Sequence, residues 1–209
     1  MIAVIDYGIG NLASITNALN RLNIPAVISR SISTIEKADC LILPGVGAAG
    51  EGMRNLQKSG LDKVIKKEII KGKKFLGICL GMQLLFERSE EGNVECLGLL
   101  KGRVKKFKRE RKVPQIGWNQ VRIKNAELGI KNKLFNKISD KSYFYFVNSF
   151  YCTPEDKSLI VGETEYGEKF ASVIIKNNII ATQFHPEKSG ILGIKLLNNI
   201  IKYFSLHSL

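Results

Sequence analysis

A cysteine set between two glycines, Gly77-Ile78-Cys79-Leu80-Gly81, closes the apolar run Phe75–Ile78. A cysteine that only fills a core needs no such neighbours. One forced onto a sharp strand-to-helix turn does, because chain segments crowd there and side chains must be absent. Glycines two before and two after a nucleophile form the pattern of a nucleophile elbow, which holds the reactive side chain at the tip of the turn. A sulfur in that place faces the free N–H groups of the following helix, a setting that favours thiolate over thiol.

Such a nucleophile needs a base, and the chain has two histidines. His207, two residues from the C-terminus, is expected at a frayed end. His185 stands in Gln183-Phe184-His185-Pro186-Glu187-Lys188-Ser189, just past a strand-like run. In extended backbone residues i and i+2 share a face, so Glu187 can reach the His185 ring, with Pro186 fixing φ between them. Cysteine, histidine and an acid that orients the ring make a triad for attack on an acyl carbon. The oxyanion formed by that attack needs donors. The N–H of Leu80, next to the nucleophile, is one. The turn Gly45-Val46-Gly47, where the backbone can approach a ligand closely, offers a second from Val46 or Gly47. Each donor is worth about 2.7–4 kcal/mol in the transition state.

The elements that must position these residues alternate. Ile2–Ile5, Ala26–Ser29, Cys40–Leu43 and Lys74–Ile78 read as strands. Asn11–Leu22, about Gly52–Lys71 with a break near Ser59-Gly60, and Leu80–Arg88 read as helices from their apolar spacing. From about Leu97 to Gln183 the pattern turns to short strands, at Arg103–Phe107, Gln120–Ile123, Tyr143–Val147, Ala171–Ile175 and Ile179–Gln183, with a tight turn at Lys176-Asn177-Asn178. Helical spacing returns after Gly190. The expectation is an α/β fold of three layers, α/β/α, with a mostly parallel central sheet and an added antiparallel region. No linker interrupts it, so residues 1–209 are expected to form a single domain.

Composition narrows the class. The 209 residues are 44% hydrophobic and 24% charged, ordinary for a globular chain. No apolar run approaches the ~20 residues of a membrane span, and Met1–Asp6 looks like a first strand rather than a signal segment. A cytoplasmic location without membrane contact is expected. The cysteines at 40, 79, 96 and 152 lack metal-type spacing and should be free thiols, with Cys40, Cys96 and Cys152 as core residues. Net charge is +13, and the densest basic stretch is Lys101–Lys112. Only Phe107 interrupts it as an aromatic, and no nucleic-acid motif accompanies it. A solvated hairpin, or a surface facing an acidic partner or phosphorylated substrate, is expected, not nucleic acid.

Taken together, the motifs resemble the class I (triad-type) glutamine amidotransferases and, among these, the glutaminase subunits of imidazole glycerol phosphate synthase. The resemblance runs nearly the whole length. It is carried by Asp6-Tyr7-Gly8-Ile9-Gly10-Asn11-Leu12, Pro44–Gly47, Gly77–Phe86, Ile116-Gly117-Trp118-Asn119 and Gln183–Ser189. It implies that Cys79, His185 and Glu187 hydrolyse L-glutamine and that Gln83, one helical turn past Cys79, helps hold the substrate. It implies a separate (β/α)8-barrel cyclase as heterodimer partner, which takes the ammonia in histidine biosynthesis. No metal or organic cofactor is implied.

The chain departs from this resemblance at Gln115 and Asn148, where the family usually has histidine. Neither belongs to the triad, so the change bears on the partner more than on the chemistry. A paralogous glutaminase feeding a sugar amidotransferase, for amidino groups on surface glycans, is the alternative. A cysteine peptidase or γ-glutamyl hydrolase on the same fold would keep Cys79 and His185 but not the branch-specific stretches. A non-catalytic binding module would make Cys79→Ala harmless.

Overall fold

The structure, a computed structural model, describes residues 1–108, 112–124 and 133–206. His207 and residues 109–111 of the basic stretch lie outside the described residues. Its first half runs β1 (Ile2–Ile5), α1 (Leu12–Arg21), β2 (Ala26–Ser29), α2 (Ile32–Lys37), β3 (Cys40–Gly45), α3 (Ala49–Lys58), α4 (Leu61–Ile70), β4 (Lys74–Cys79) and α5 (Leu80–Gln83). Strands follow: β5 (Arg88–Ser89), β6 (Val94–Glu95), β7 (Gly102–Lys106), β8 (Gln115–Ile123), β9 (Ser142–Asn148), β10 (Phe150–Pro154), β11 (Ile160–Tyr166), β12 (Glu168–Lys176) and β13 (Ile179–Thr182). A helix, α6 (Gly190–Leu206), ends the described chain.

Neighbours in the sheet run β2-β1-β3-β4-β13-β12-β10-β7-β5-β6, with β11, β8 and β9 branching from β12. The pairs along β2-β1-β3-β4-β13 are all parallel. From β12 outward the pairing is mainly antiparallel. This is the expected parallel sheet with its antiparallel addition.

β1 shows why there are three layers. All four of its residues are buried, and they divide between two cores. Ile2 and Val4 join Ile15 and Leu19 of α1 and Leu196, Leu197 and Ile200 of α6. Ala3 and Ile5 join Ile35 of α2, Met53 and Leu56 of α3, and Ile65 of α4. A strand apolar on both faces must be covered on both, and helices do this.

Local signals set several boundaries. The Asn11 side chain accepts the Ser14 N–H at 3.1 Å and caps α1. Gly60, at φ 71°, breaks α3 from α4 at the expected place. The Asn177 turn, at φ 52°, joins β12 to β13 with Lys176 opposite Ile179. In β7, Val104 is buried while Arg103, Lys105 and Lys106 face solvent; the strand pairs with β10 and β5, so this part of the basic stretch is a solvated strand face and not the expected hairpin.

Candidate active site

Three strand ends meet at the carboxyl edge of the parallel run. Register sets Gly45 of β3 beside Cys79 of β4, and Ile78 beside Thr182 of β13. The Pro44–Gly47 turn, Cys79 and the Gln183–Glu187 segment therefore leave the sheet together, where sheets of this kind hold ligands.

Cys79 has φ 54° and ψ −109°, a backbone conformation that side-chain-bearing residues rarely adopt. Strain of this sort costs about 1–3 kcal/mol and persists only where the surroundings enforce it. The flanking glycines show the enforcement. A Cβ on Gly77 would lie 2.8 Å from the Gly81 carbonyl oxygen, and one on Gly81 would overlap the Leu43 carbonyl oxygen. A Cβ on Gly45 would strike the Tyr7 hydroxyl and lie 2.8 Å from Leu80 Cβ. The elbow can be packed only with bare backbone at these positions.

The helix after the elbow is shorter than its apolar spacing suggests. An α-helix over Leu80–Arg88 is expected, but α5 ends at Gln83. Leu84, Leu85 and Phe86 are all fully buried, which leaves no solvent face for a longer surface helix. Their carbonyls are taken from elsewhere: Leu97 N–H donates to Leu84, Leu99 and Leu100 N–H to Leu85, and Gly98 N–H to Phe86, each at 2.8–2.9 Å. The α ladder has already ended, since the Leu85 and Phe86 N–H groups donate to Met82 and Gln83, three residues back, at 3.2 Å. A single helical turn offers little macrodipole, so the charge beside Cys79 must come chiefly from a side chain.

His185 supplies it. Its Nδ1 lies 2.8 Å from Glu187 Oε1, and both side chains are only 3% exposed. Its backbone is pinned to β9: His185 N–H donates to the Tyr145 carbonyl at 3.0 Å. Ser189 Oγ accepts the Tyr145 N–H at 2.9 Å and donates to the His185 carbonyl at 2.6 Å. The ring also lies close enough to Cys79 to interact with its sulfur. Burial opposes charge on the imidazole, but the Cys79 sulfur and then the Glu187 carboxylate outweigh it and lift its pKa to about 10. At neutral pH the ring is an imidazolium, the cation that a thiolate wants beside it.

A chain of side-chain amides backs the sulfur. Gln183, fully buried, donates its Nε2 to Cys79 Sγ at 3.7 Å. Its Oε1 accepts from Gln83 Nε2 at 3.1 Å, and the same nitrogen reaches the Phe150 carbonyl at 3.1 Å. Gln83 is thus a buried member of this network, not the helix-surface residue its position would suggest without the resemblance.

In front of Cys79 lies a cavity of about 230 Å³ lined by Val46, Gly47, Cys79, Leu80, Gln83, Glu91, Pro114 and Val147–Phe150. It brings the three residues read as oxyanion donors, Leu80, Val46 and Gly47, and the substrate candidate Gln83 around one space with the nucleophile. At less than the ~300–1,000 Å³ of larger ligand pockets, it suits an amino acid. Glu91 puts one carboxylate there, its Oε2 accepting the Ala49 N–H at 2.7 Å. Sequence reasoning missed Glu91, which reads as one of several surface acids, and gave Gln183 no role although it stands in the histidine motif. Tyr7 was also missed; its hydroxyl is buried against Gly45 with no partner among the described residues. Burial first, and the nearby Cys79 second, push its ionisation upward.

The remaining cysteines are buried free thiols. Burial pushes Cys40 up to about 12 and Cys96 to about 11, and raises Cys152 well above the ordinary thiol value. They are inert core residues, as expected.

Residues 3–202 match the family model described as glutamine amidotransferase class-I. The chain belongs to the class I glutamine amidotransferases. It is 46% identical over 203 residues to the imidazole glycerol phosphate synthase subunit HisH of Dehalococcoides mccartyi, covering 97% of each chain. To the HisH subunit of Methanocaldococcus jannaschii it is 47% identical over 204 residues, 97% of this chain and 99% of the relative. A crystal structure of a glutamine amidotransferase shares the fold with TM-score 0.76 at 17% identity, over 98% of this chain and all of that one. Class I glutamine amidotransferases hydrolyse glutamine, and this chain is one of them.

Proposed function

We propose that Cys79, His185 and Glu187 are the triad with which the chain, as one glutaminase domain, cleaves the side-chain amide of glutamine. The observation that carries this reading is the strained Cys79 held against a His185 whose other side is bound to buried Glu187. The sulfur attacks the amide carbon, and N–H groups of Leu80 and of Val46 or Gly47 receive the oxyanion. His185 gives its proton to the departing nitrogen, the C–N bond breaks, and ammonia leaves a γ-glutamyl thioester on Cys79. His185, now neutral, takes a proton from water; the hydroxide displaces sulfur and glutamate departs. Glu187 fixes the ring throughout. Glu91 offers a carboxylate for the substrate ammonium, and Gln83 helps hold the chain.

The chain is the glutaminase subunit of an imidazole glycerol phosphate synthase, and its relatives carry that name at about 45% identity over nearly their whole length. In this reading the ammonia passes to a (β/α)8-barrel cyclase subunit in the cytoplasm, in histidine biosynthesis. An exposed apolar cluster supports a docking face close to the site. Ile116, Trp118 and Tyr143 are 64%, 55% and 53% exposed, and Trp118 packs edge-on to Tyr145, which holds the His185 backbone. A glutaminase running alone wastes glutamine, so turnover should be slow until the loaded partner docks.

The second reading, ammonia supply to a sugar amidotransferase, is favoured by Gln115 and Asn148, which stand where the resemblance calls for histidine. Glutamate release separates the two. Cys79-dependent release that rises strongly with the organism's cyclase and its ribonucleotide supports the first. Release indifferent to that partner turns attention to the second, and no release in any combination overturns the glutaminase assignment.

A further inference from the structure

Asn148 ends β9, and its side chain, 5% exposed, belongs to the lining of the Cys79 cavity. The residue before it touches the nucleophile: the Val147 carbonyl oxygen lies 3.7 Å from Cys79 Sγ. The orientation of the Asn148 carboxamide is fixed by its nitrogen. Nδ2 donates at 2.9 Å to the Phe150 carbonyl, which can only accept and also takes Gln83 Nε2 at 3.1 Å. With the nitrogen committed there, the buried Oδ1 is left without a hydrogen-bond partner among the described residues.

A buried carbonyl oxygen left without a donor is costly, and in the wall of a substrate cavity the donor can come from the substrate. A side-chain amide has two unlike ends. Its oxygen is an acceptor and belongs with the N–H groups of Leu80 and of Val46 or Gly47, where the oxyanion forms. Its nitrogen carries two hydrogens and needs an acceptor. We propose that Asn148 is the residue by which the site recognises an amide: its Oδ1 accepts an N–H of the substrate's side-chain NH2 group. A carboxylate or an ester in the same place would set lone pairs against lone pairs. The bond also tightens during the reaction. As His185 gives its proton to the leaving nitrogen, positive charge gathers on the N–H groups, and the hydrogen bond to Asn148 becomes charge-assisted. An interaction stronger in the transition state than in the bound substrate raises kcat as well as selecting the substrate.

This inference rests on the glutaminase reading, and the two fail separately. The full chain and its Asn148→Leu variant are compared on glutamine and on glutamate γ-methyl ester. The ester keeps the length and the amino-acid head but has oxygen in place of the side-chain nitrogen, so it brings no N–H to Asn148. Spontaneous ester hydrolysis is subtracted with Cys79→Ala. The ratio of kcat/KM for glutamine to kcat/KM for the ester should fall about five-fold in Asn148→Leu, the weight of one net hydrogen bond. Asn148→Ala serves if the leucine variant does not fold. A cavity merely reshaped, or a triad merely misaligned, slows both substrates alike and leaves the ratio where it was. That result, or a ratio that rises, overturns the role given to Asn148. Cys79-dependent cleavage of neither substrate overturns the glutaminase reading instead.

Discussion

Gln183 donates its side-chain amide to the Cys79 sulfur across 3.7 Å, from the end of the strand next to the one that ends in Cys79. The orientation is not free, since Gln183 Oε1 already accepts from Gln83. A donor aimed at a sulfur that becomes charged does more than fill space. A hydrogen bond to a charged group is worth about 1.5–3 kcal/mol. Gln183→Leu should therefore slow both alkylation of Cys79 by iodoacetamide and kcat by roughly 10- to 100-fold, with a smaller change in KM. Gln183→Glu, which sets a carboxylate beside the sulfur, should do worse. A variant altered in KM alone would show that Gln183 only shapes the cavity.

The backbone of Cys79 sets activity against stability. At φ 54° a glycine is at ease and an alanine is not. Cys79→Ala and Cys79→Gly should both abolish glutamate release. They should differ in stability, with the glycine variant firmer by about 1 kcal/mol, or ~2–4 °C in Tm for a chain of this size. Equal melting temperatures would mean that the elbow stores no strain.

The glycines of the elbow can be ranked by what surrounds them. Gly81→Ala drives a Cβ into the Leu43 carbonyl oxygen, which is sheet backbone and cannot move aside. A loss of about 3 kcal/mol or more is expected, at or beyond the upper end of overpacking costs. Gly60→Ala meets nothing within 4 Å and suffers only its φ of 71°, so about 1 kcal/mol should suffice. Urea unfolding of the two variants gives the comparison, and a Gly60 variant as weak as the Gly81 one would refute the crowding account.

The difference between what could and could not be read from the chain follows sequence separation. The elbow is legible because its glycines sit two residues from Cys79. The His185–Glu187 contact is legible as a near-neighbour pair, but it forms across the 3-10 turn Pro186–Lys188 and not along the expected extended backbone. Asn11, Gly60 and Asn177 mark their boundaries by local chemistry. The stop of α5 at Gln83 is invisible locally, since it goes with the full burial of Leu84–Phe86, whose carbonyls bond the distant amides of residues 97–100. The short strands β5 and β6, two residues each, carry no period to detect. Gln183 could be assigned a partner only once β4 and β13 were known to be neighbours.

Glu187 is predicted to act through the charge of its neighbour, and pH exposes this. Against the burial that opposes its charge, the His185 pKa is raised to about 10, from an ordinary value near 6.5, by the Cys79 sulfur and then by Glu187. A group whose pKa is higher in the folded state binds its proton more tightly there. Its stabilising contribution is full below about pH 6.5 and is lost as pH rises through about 10. Glu187→Gln keeps the shape and removes the charge, so the His185 titration should move down by the part of the shift that Glu187 supplies, with the Cys79 part remaining. Stability of the variant should begin to fall at a lower pH than in the wild-type protein. With two histidines in the chain, ring proton NMR reads this directly once His185→Asn has assigned the signal. Glutamate release should fall by about 10²-fold or more, with the pH optimum displaced as the imidazolium is lost. A variant whose His185 signal titrates where the wild type does would remove Glu187 from the triad and leave it a structural acid.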